Sequence, residues 1–204
     1  MKANRSARTT KGDDTRRRIL DVAADLFHKQ GVAATSPDQI IEASGTGKGQ
    51  FYHYFKNKEG LVHDVLQAHL HAIRNGRAPI DYEIASWDHL ERWFADQIAL
   101  QKRYRMTRGC PFGTIGNEVT ENDELIRQDL RLIFEVVRGK LATFFVREKA
   151  SGRLDSAIRE DRLADFCLAT IQGAMLMGKV TRDGDLGEQV VREAMSHLRG
   201  FRRP

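Results

Sequence analysis

Apolar residues recur at helical intervals through most of the chain, and nowhere do they alternate long enough to predict a strand. From Asp14 to Gln30 they fall at Ile19, Leu20, Val22, Ala23, Leu26 and Phe27, one stripe ended by Gly31. Ser36-Pro37-Asp38-Gln39 carries two start signals for a second, short helix. Ser36 and Gln39 have capping-box spacing, and Pro37 sits where a helix tolerates a missing N–H. Gly45 closes that helix, whose inward face is expected to hold Ile40, Ile41 and Ala43. A third helix, Lys48 to Phe55, follows Thr46-Gly47, with Thr46 as its candidate N-cap. Asn57 caps a fourth helix running to about Asn75.

The remainder reads as longer helices. Ser86 starts one that carries Leu90, Trp93, Phe94, Gln97, Ile98 and Gln101 at helical spacing. Gly109-Cys110-Pro111-Phe112-Gly113 breaks the chain, and a short segment reaches about Val119. Three more helices are expected over 123–150, 159–179 and 185–198. The fold class is therefore all-α, with about nine helices. Residues 1–12 are expected to be a disordered basic arm, 13–60 a helix-turn-helix domain, and 61–204 a larger helical domain.

Composition narrows the function. At 204 residues, with 41% hydrophobic and 30% charged residues, the chain is expected to be globular and soluble. No apolar run approaches the ~18 residues of a membrane span, and the basic N-terminus has no signal-peptide core, so cytoplasm is the expected compartment and no membrane partner is expected. Cys110 and Cys167 suit neither a disulfide framework nor a metal site. His63, His69 and His71 lack the four-residue pairing of helix-borne metal ligands and are expected to be solvated or packing residues. Neither a metal nor a cofactor is expected. Gly45-Thr46-Gly47-Lys48 only faintly resembles a phosphate loop, because no strand precedes it and Glu42 stands where the first glycine is required. With no catalytic constellation in view, an enzyme is not expected.

Charge distribution suits either a polyanion partner or a merely solvated basic tail, and takes meaning only beside a further motif. The net charge is +5, and residues 1–60 hold 11 Lys and Arg against 7 Asp and Glu, whereas the other 144 residues hold 22 against 21. Basic residues gathered at one end favour nucleic acid through counterion release.

The informative stretch is Thr35 to Leu61, TSPDQIIEASGTGKGQFYHYFKNKEGL. Phe51 and Phe55, four apart, anchor one side of the third helix, which turns Lys48, Gln50, Tyr52 and His53 to other faces. A helix fits the major groove, and in this motif its N-terminal residues reach base edges. The stretch resembles the TetR family of repressors. The resemblance covers roughly residues 14–61, through Ala23-Ala24-Asp25-Leu26-Phe27, Lys48-Gly49-Gln50, Phe51-Tyr52-His53-Tyr54-Phe55 and Lys58-Glu59-Gly60-Leu61. The chain departs from it at Thr46-Gly47, where the family usually has Val-Ser, and at Phe51, where it usually has Leu.

Carried over by position, the resemblance implies that Lys48 and Gln50 contact bases and that Tyr52 contacts a base or sugar. Ser36, Tyr54 and Lys58 would contact phosphate, His53 either, with Thr46 and Gly49 completing the DNA-binding set. It also implies a C-terminal domain that dimerises and holds an effector. Small residues Ala169, Gly173, Ala174 and Gly178 support a close helix–helix interface. The expected interface is Phe166, Thr170, Gly173, Ala174, Met177, Val190, Val191, Ala194 and Leu198. The expected effector pocket is Trp93, Phe94, Gln97, Tyr104, Cys110, Phe112, Ile115, Phe134, Phe144 and Met175, suiting a hydrophobic or aromatic ligand. The expected function is a homodimeric repressor released from a palindromic DNA operator by a small molecule. The alternative effector is a protein, or an electrophile or oxidant sensed at Cys110, whose place before a short helix would lower its pKa. An architectural DNA binder and an all-α enzyme with a borrowed head are the rival classes.

Overall fold

The computed structural model describes the backbone of residues 3–203 and the side chains from residue 12 to residue 203. Among the described residues there are nine helices and no strand beyond one isolated bridge, Leu154 to Arg202. They are α1 (Ala3–Gln30), α2 (Pro37–Ser44), α3 (Lys48–Tyr54), α4 (Lys58–Arg74), α5 (Trp87–Arg103), α6 (Pro111–Gly116), α7 (Glu124–Ala150), α8 (Glu160–Thr181) and α9 (Gly184–Arg199).

The first helix, α1, begins at Ala3, so helical backbone runs through most of the segment expected to be an arm. No proline interrupts residues 3–12, and Ala, Arg and Lys there are strong helix formers, so the core-anchored turns extend outwards. Ile19, Ala23 and Phe27 of its apolar stripe are buried.

Local chemistry sets the head. Ser36 accepts a hydrogen bond from the Gln39 N–H at 3.2 Å, and the Gln39 side chain accepts from the Ser36 N–H at 2.8 Å, completing the capping box. Gly45 ends α2 in the left-handed conformation, φ 61°, which costs glycine nothing. Ala43, expected inward, is exposed, and Ser44 is buried in its place. Positions 40, 41 and 44 share the inward face of a 3.6-residue helix, and 43 does not.

A single apolar cluster runs from Ile19 to Leu198, passing from the head into the body through α4. α4 packs on α1 and α7, while α5 packs against α8 and α9. Two buried carboxylates pin the body. Asp129 accepts from His63 Nδ1 and Gln67 Nε2, each at 2.7 Å, joining α7 to α4. Glu148 accepts from Trp87 Nε1 at 2.7 Å and from Arg153, joining α7 to α5. By length and composition α8 is apolar enough to cross a membrane, which the sequence reading did not anticipate. It is a central helix here, burying Leu163, Ala164, Cys167, Ile171, Ala174 and Met175 against its neighbours.

Candidate DNA-binding surface and effector cavity

The helix α3 is held from behind and open in front. Phe51 is 1% exposed and Phe55 2%, their rings 5.8 Å apart, whereas Tyr52 is 51% exposed. Lys48, Gly49, Gln50 and His53 are exposed beside Tyr52. Lys48 meets Asp38 of α2 at 3.0 Å, and this hydrogen-bonded pairing raises its pKa. The pair is open to solvent, so the ammonium is readily redirected to another anion. Gln50 accepts weakly from the Gly47 N–H at 3.4 Å, capping α3 from inside.

Thr46 departs from its expected role. It is 8% exposed, its hydroxyl lies 2.8 Å from that of Ser44, and Gly47 is the N-cap instead. Tied to the end of α2, Thr46 offers no side-chain contact to a surface. Tyr54 is half-buried against the core, its hydroxyl near Gly12 of α1. Ser36 stays exposed while it caps, and Lys58 reaches back to the Ala33 carbonyl at 3.4 Å. Two of the three consecutive arginines of α1 serve the fold: Arg16 pairs with Asp64 at 2.8 Å, and Arg18 donates to the Ser44 carbonyl at 2.8 Å.

In the body, a cavity of about 290 Å³ lies between α1, α4, α5, α6, α7 and α8, under the 75–86 loop. Seven of the ten expected lining residues are on its wall: Trp93, Gln97, Tyr104, Cys110, Phe112, Phe134 and Met175. Three are not. Phe94 is fully buried next to Trp93, with ring centroids 4.8 Å apart, and Phe144 packs edge-on to Trp87 at 5.3 Å. Ile115 faces a separate cleft near Val32 and Lys58. Helical spacing put these three with the others, but each occupies an adjoining face.

The cavity also has walls that periodicity did not suggest. Asp25 and His28 come from α1, His69 and Ile73 from α4, Tyr82 from the loop, and Arg108 from the turn before α6. The pairing of a long N-terminal helix with a turn eighty residues later leaves no sequence signal. Arg108 pairs with Asp25 at 2.6 Å and lies 4.2 Å from the centroid of the Tyr104 ring. Burial pushes the pKa of both His28 and His69 down, and that of Tyr82 up. Burial likewise pushes the Cys110 thiol up, overriding the hydrogen bonds from Gly113, Gln172 and Phe112 that pull it down. Desolvation therefore outweighs any lowering from the start of α6.

The expected dimer face divides in two. Ala174, Val191, Ala194 and Leu198 are buried within the subunit, and Gly178 abuts Met106. Gly173, Leu176, Met177 and Val180 are exposed, the last three at 52%, 49% and 71%, while Phe166, Thr170 and Val190 are half-buried. The four-residue ladder of small residues is really two faces, one turned inward and one free.

Among the described residues no cluster of three or more His, Cys, Asp or Glu is arranged for a metal. A short exposed helix behind a tight turn, on a three-helix head joined to a helical body, defines a helix-turn-helix DNA-binding protein. The family model for bacterial regulatory proteins of the tetR family matches residues 19–65, and that for the tetracyclin repressor-like C-terminal domain matches residues 86–194. The chain belongs to the TetR family of DNA-binding transcriptional regulators, which are not enzymes.

Its relatives include an uncharacterised HTH-type transcriptional regulator in the lacX 3' region of Lactococcus lactis, 29% identical and covering 83% of this chain and 86% of that one. The transcriptional repressor DhaR of a Mycobacterium species is 25% identical over 88% of this chain and 91% of its own. A TetR regulator structure from Chloroflexus aurantiacus superposes with a TM-score of 0.81 at 22% identity, covering 95% and 98% of the two chains. At that identity the likeness speaks for the fold.

Proposed function

We propose that this chain is a homodimeric repressor that grips a two-fold operator through α3 and lets go when a small molecule fills the α1–α8 cavity. The observation that carries the reading is the split of α3 into a sealed side, Phe51 and Phe55, and an open side, Lys48, Gln50, Tyr52 and His53. A side chain added at Gly49 would meet nothing within 4 Å. The subunit itself therefore has no use for a glycine there, whereas close approach to a DNA backbone does. Lys48 and Gln50 read base edges, Tyr52 a base or sugar, and Ser36, His53 and Lys58 hold phosphates. Tyr54, braced on α1, has less freedom to join them.

The free apolar face of α8, with Phe166, Thr170, Gly173, Met177 and Val190 around it, receives the same face of a second copy. A two-fold pair places two copies of α3 on one side of a duplex, where successive major grooves lie about 34–36 Å apart. A ligand that prefers another spacing of the heads lowers operator affinity by its differential binding to the two states.

Footprinting and gel shifts on the DNA flanking the chain's own gene, over a salt series and a ligand panel, test this. The expected result is a palindromic footprint, affinity that falls steeply with salt, and at least one compound that releases the DNA. Sequence-blind coating of the probe, unaffected by any compound bound in the cavity, overturns it.

A further inference from the structure

Among the described residues, one fully buried side-chain nitrogen or oxygen lacks a hydrogen-bond partner, and it belongs to a residue of the cavity wall. Gln97 of α5 is only 9% exposed, and its Nε2 is buried with no hydrogen-bond partner among the described residues. The other polar groups of the wall are engaged or neutral. Gln101 accepts from the Gly109 N–H at 2.9 Å and directs its own Nε2 to the Met175 sulfur at 3.9 Å. Arg108 and Asp25 neutralise each other at 2.6 Å. His28 donates to the Gly109 carbonyl at 2.7 Å, and burial holds both His28 and His69 towards the uncharged imidazole.

A buried donor left unsatisfied is costly, and a native fold keeps one where something else completes it. The rest of the wall near Gln97 is aromatic or aliphatic: Trp93, Phe112, Phe134, Tyr82, Leu100 and Ile171. No unpaired charge is present to hold an ionic guest, and the volume lies at the lower end of small-molecule pockets, roughly 300–1,000 Å³. We infer that the cavity takes a small, uncharged aromatic molecule carrying a carbonyl-type oxygen, and that the Gln97 amide, turned about its soft terminal side-chain bond, receives that oxygen through its N–H. The inference rests on the reading of this cavity as the effector site and adds the chemistry that selects the effector. Gln97 sets specificity: an apolar guest of the same shape fills the space but leaves the donor unpaired, and a carboxylate or ammonium guest finds no counter-charge.

The test is calorimetric titration of the full chain with four probes: acetophenone, its isostere α-methylstyrene, benzoate and benzylamine. Acetophenone is expected to bind at least about tenfold tighter than α-methylstyrene, as one well-made hydrogen bond allows, and the two ionic probes not to bind. In Gln97→Leu and Gln97→Met the preference is expected to disappear while α-methylstyrene still binds, and Tm is expected to hold or rise because an unsatisfied donor has gone. Equal binding of the ketone and its isostere, tighter binding of benzoate or benzylamine, or a fall in Tm in both variants overturns the role of Gln97 and leaves the effector cavity standing. Failure of all four probes to bind overturns both the cavity reading and the inference built on it.

Discussion

Nε2 of His28 donates a 2.7 Å hydrogen bond to the carbonyl oxygen of Gly109, fastening the helix that frames the DNA-binding head to the turn before α6. One residue away, Arg108 reaches Asp25 of the same helix at 2.6 Å. Both links lie on the cavity wall. A guest in that cavity would touch α1, the first helix of the head, directly. Asp25→Asn and Arg108→Ala are therefore expected to reduce the ratio of operator affinity without and with saturating ligand by about three- to tenfold. Their effect on ligand-free operator affinity should be smaller. Binding assays on the two variants check this, and an unchanged ratio would remove these links from the coupling path.

The same histidine makes stability depend on pH. Burial lowers the folded-state pKa of His28 and of His69, each below its ordinary 6.5. Between the lowered values and 6.5 the unfolded chain binds more protons than the folded one, so stability rises with pH there. The contribution is complete above about pH 7 and is lost as pH falls below 6.5 towards the folded values. Thermal melts from pH 5 to 8 should show Tm falling on acidification. Replacing His69 with Gln should flatten part of that slope, and a slope identical to the parent's would sink the assignment.

Much of this architecture was legible because it is local. The Ser36 box, the Gly45 stop and the Phe51–Phe55 stripe are set by neighbours in sequence, and the structure bears them out. Thr46 was misjudged because a small polar residue before a helix reads as a cap, whereas here it bonds to Ser44 and is covered. At the cavity, the periodicity of α5 found Trp93, Gln97 and Tyr104, since one helix face repeats. It could not find His28, Tyr82 or Arg108, which tertiary packing alone brings together. The inward and outward halves of α8 were merged for a related reason: Ala174 and Gly173 differ by 100° of helical turn and not in composition.

Gly31 holds the head at the exit of α1. Its φ of 88° is in the left-handed region, and a Cβ there would lie 2.0 Å from Glu118 Oε1. The other oxygen of Glu118 accepts from the Ala33 N–H at 2.7 Å, so the residue that crowds Gly31 also clamps the loop leading to α2. Gly31→Ala is expected to cost more than about 1 kcal/mol, because it adds backbone strain and displaces that clamp. Glu118→Ala combined with it should recover only the steric part. Urea unfolding of both variants measures this, and a Gly31→Ala protein as stable as the parent would contradict the geometry.

The exposed apolar face of α8 predicts a dimer that two introduced charges break. Val180, at 71% exposed, and Met177, at 49%, make no contribution to the subunit core, so Met177→Asp and Val180→Asp should leave the folded subunit intact. Light scattering coupled to size exclusion is expected to give a dimer for the parent and a monomer for the double variant, with helical circular dichroism unchanged. A double variant that stays dimeric would place the interface elsewhere.

Phe51 and Tyr52 are neighbours on α3 whose replacement should have opposite consequences. Phe51 is buried in the core beside Phe55, and its loss leaves a void, so Phe51→Ala is expected to cost about 3–5 kcal/mol. Tyr52 stands in solvent, touching Phe51 edge-on at 5.2 Å, and Tyr52→Ala should change stability by no more than about 0.5 kcal/mol. Operator affinity should move the other way. Tyr52→Ala loses a contact that only the DNA completes, so its affinity drops while its melting curve overlays the parent's. Lys58→Ala should weaken every sequence alike and reduce the salt slope by about one, and Gln50→Ala should relax preference at a single base pair. Melts and salt-dependent gel shifts run on the same four proteins decide the matter. If Tyr52→Ala bound its operator as the parent does, the open side of α3 would not be the side that meets the duplex.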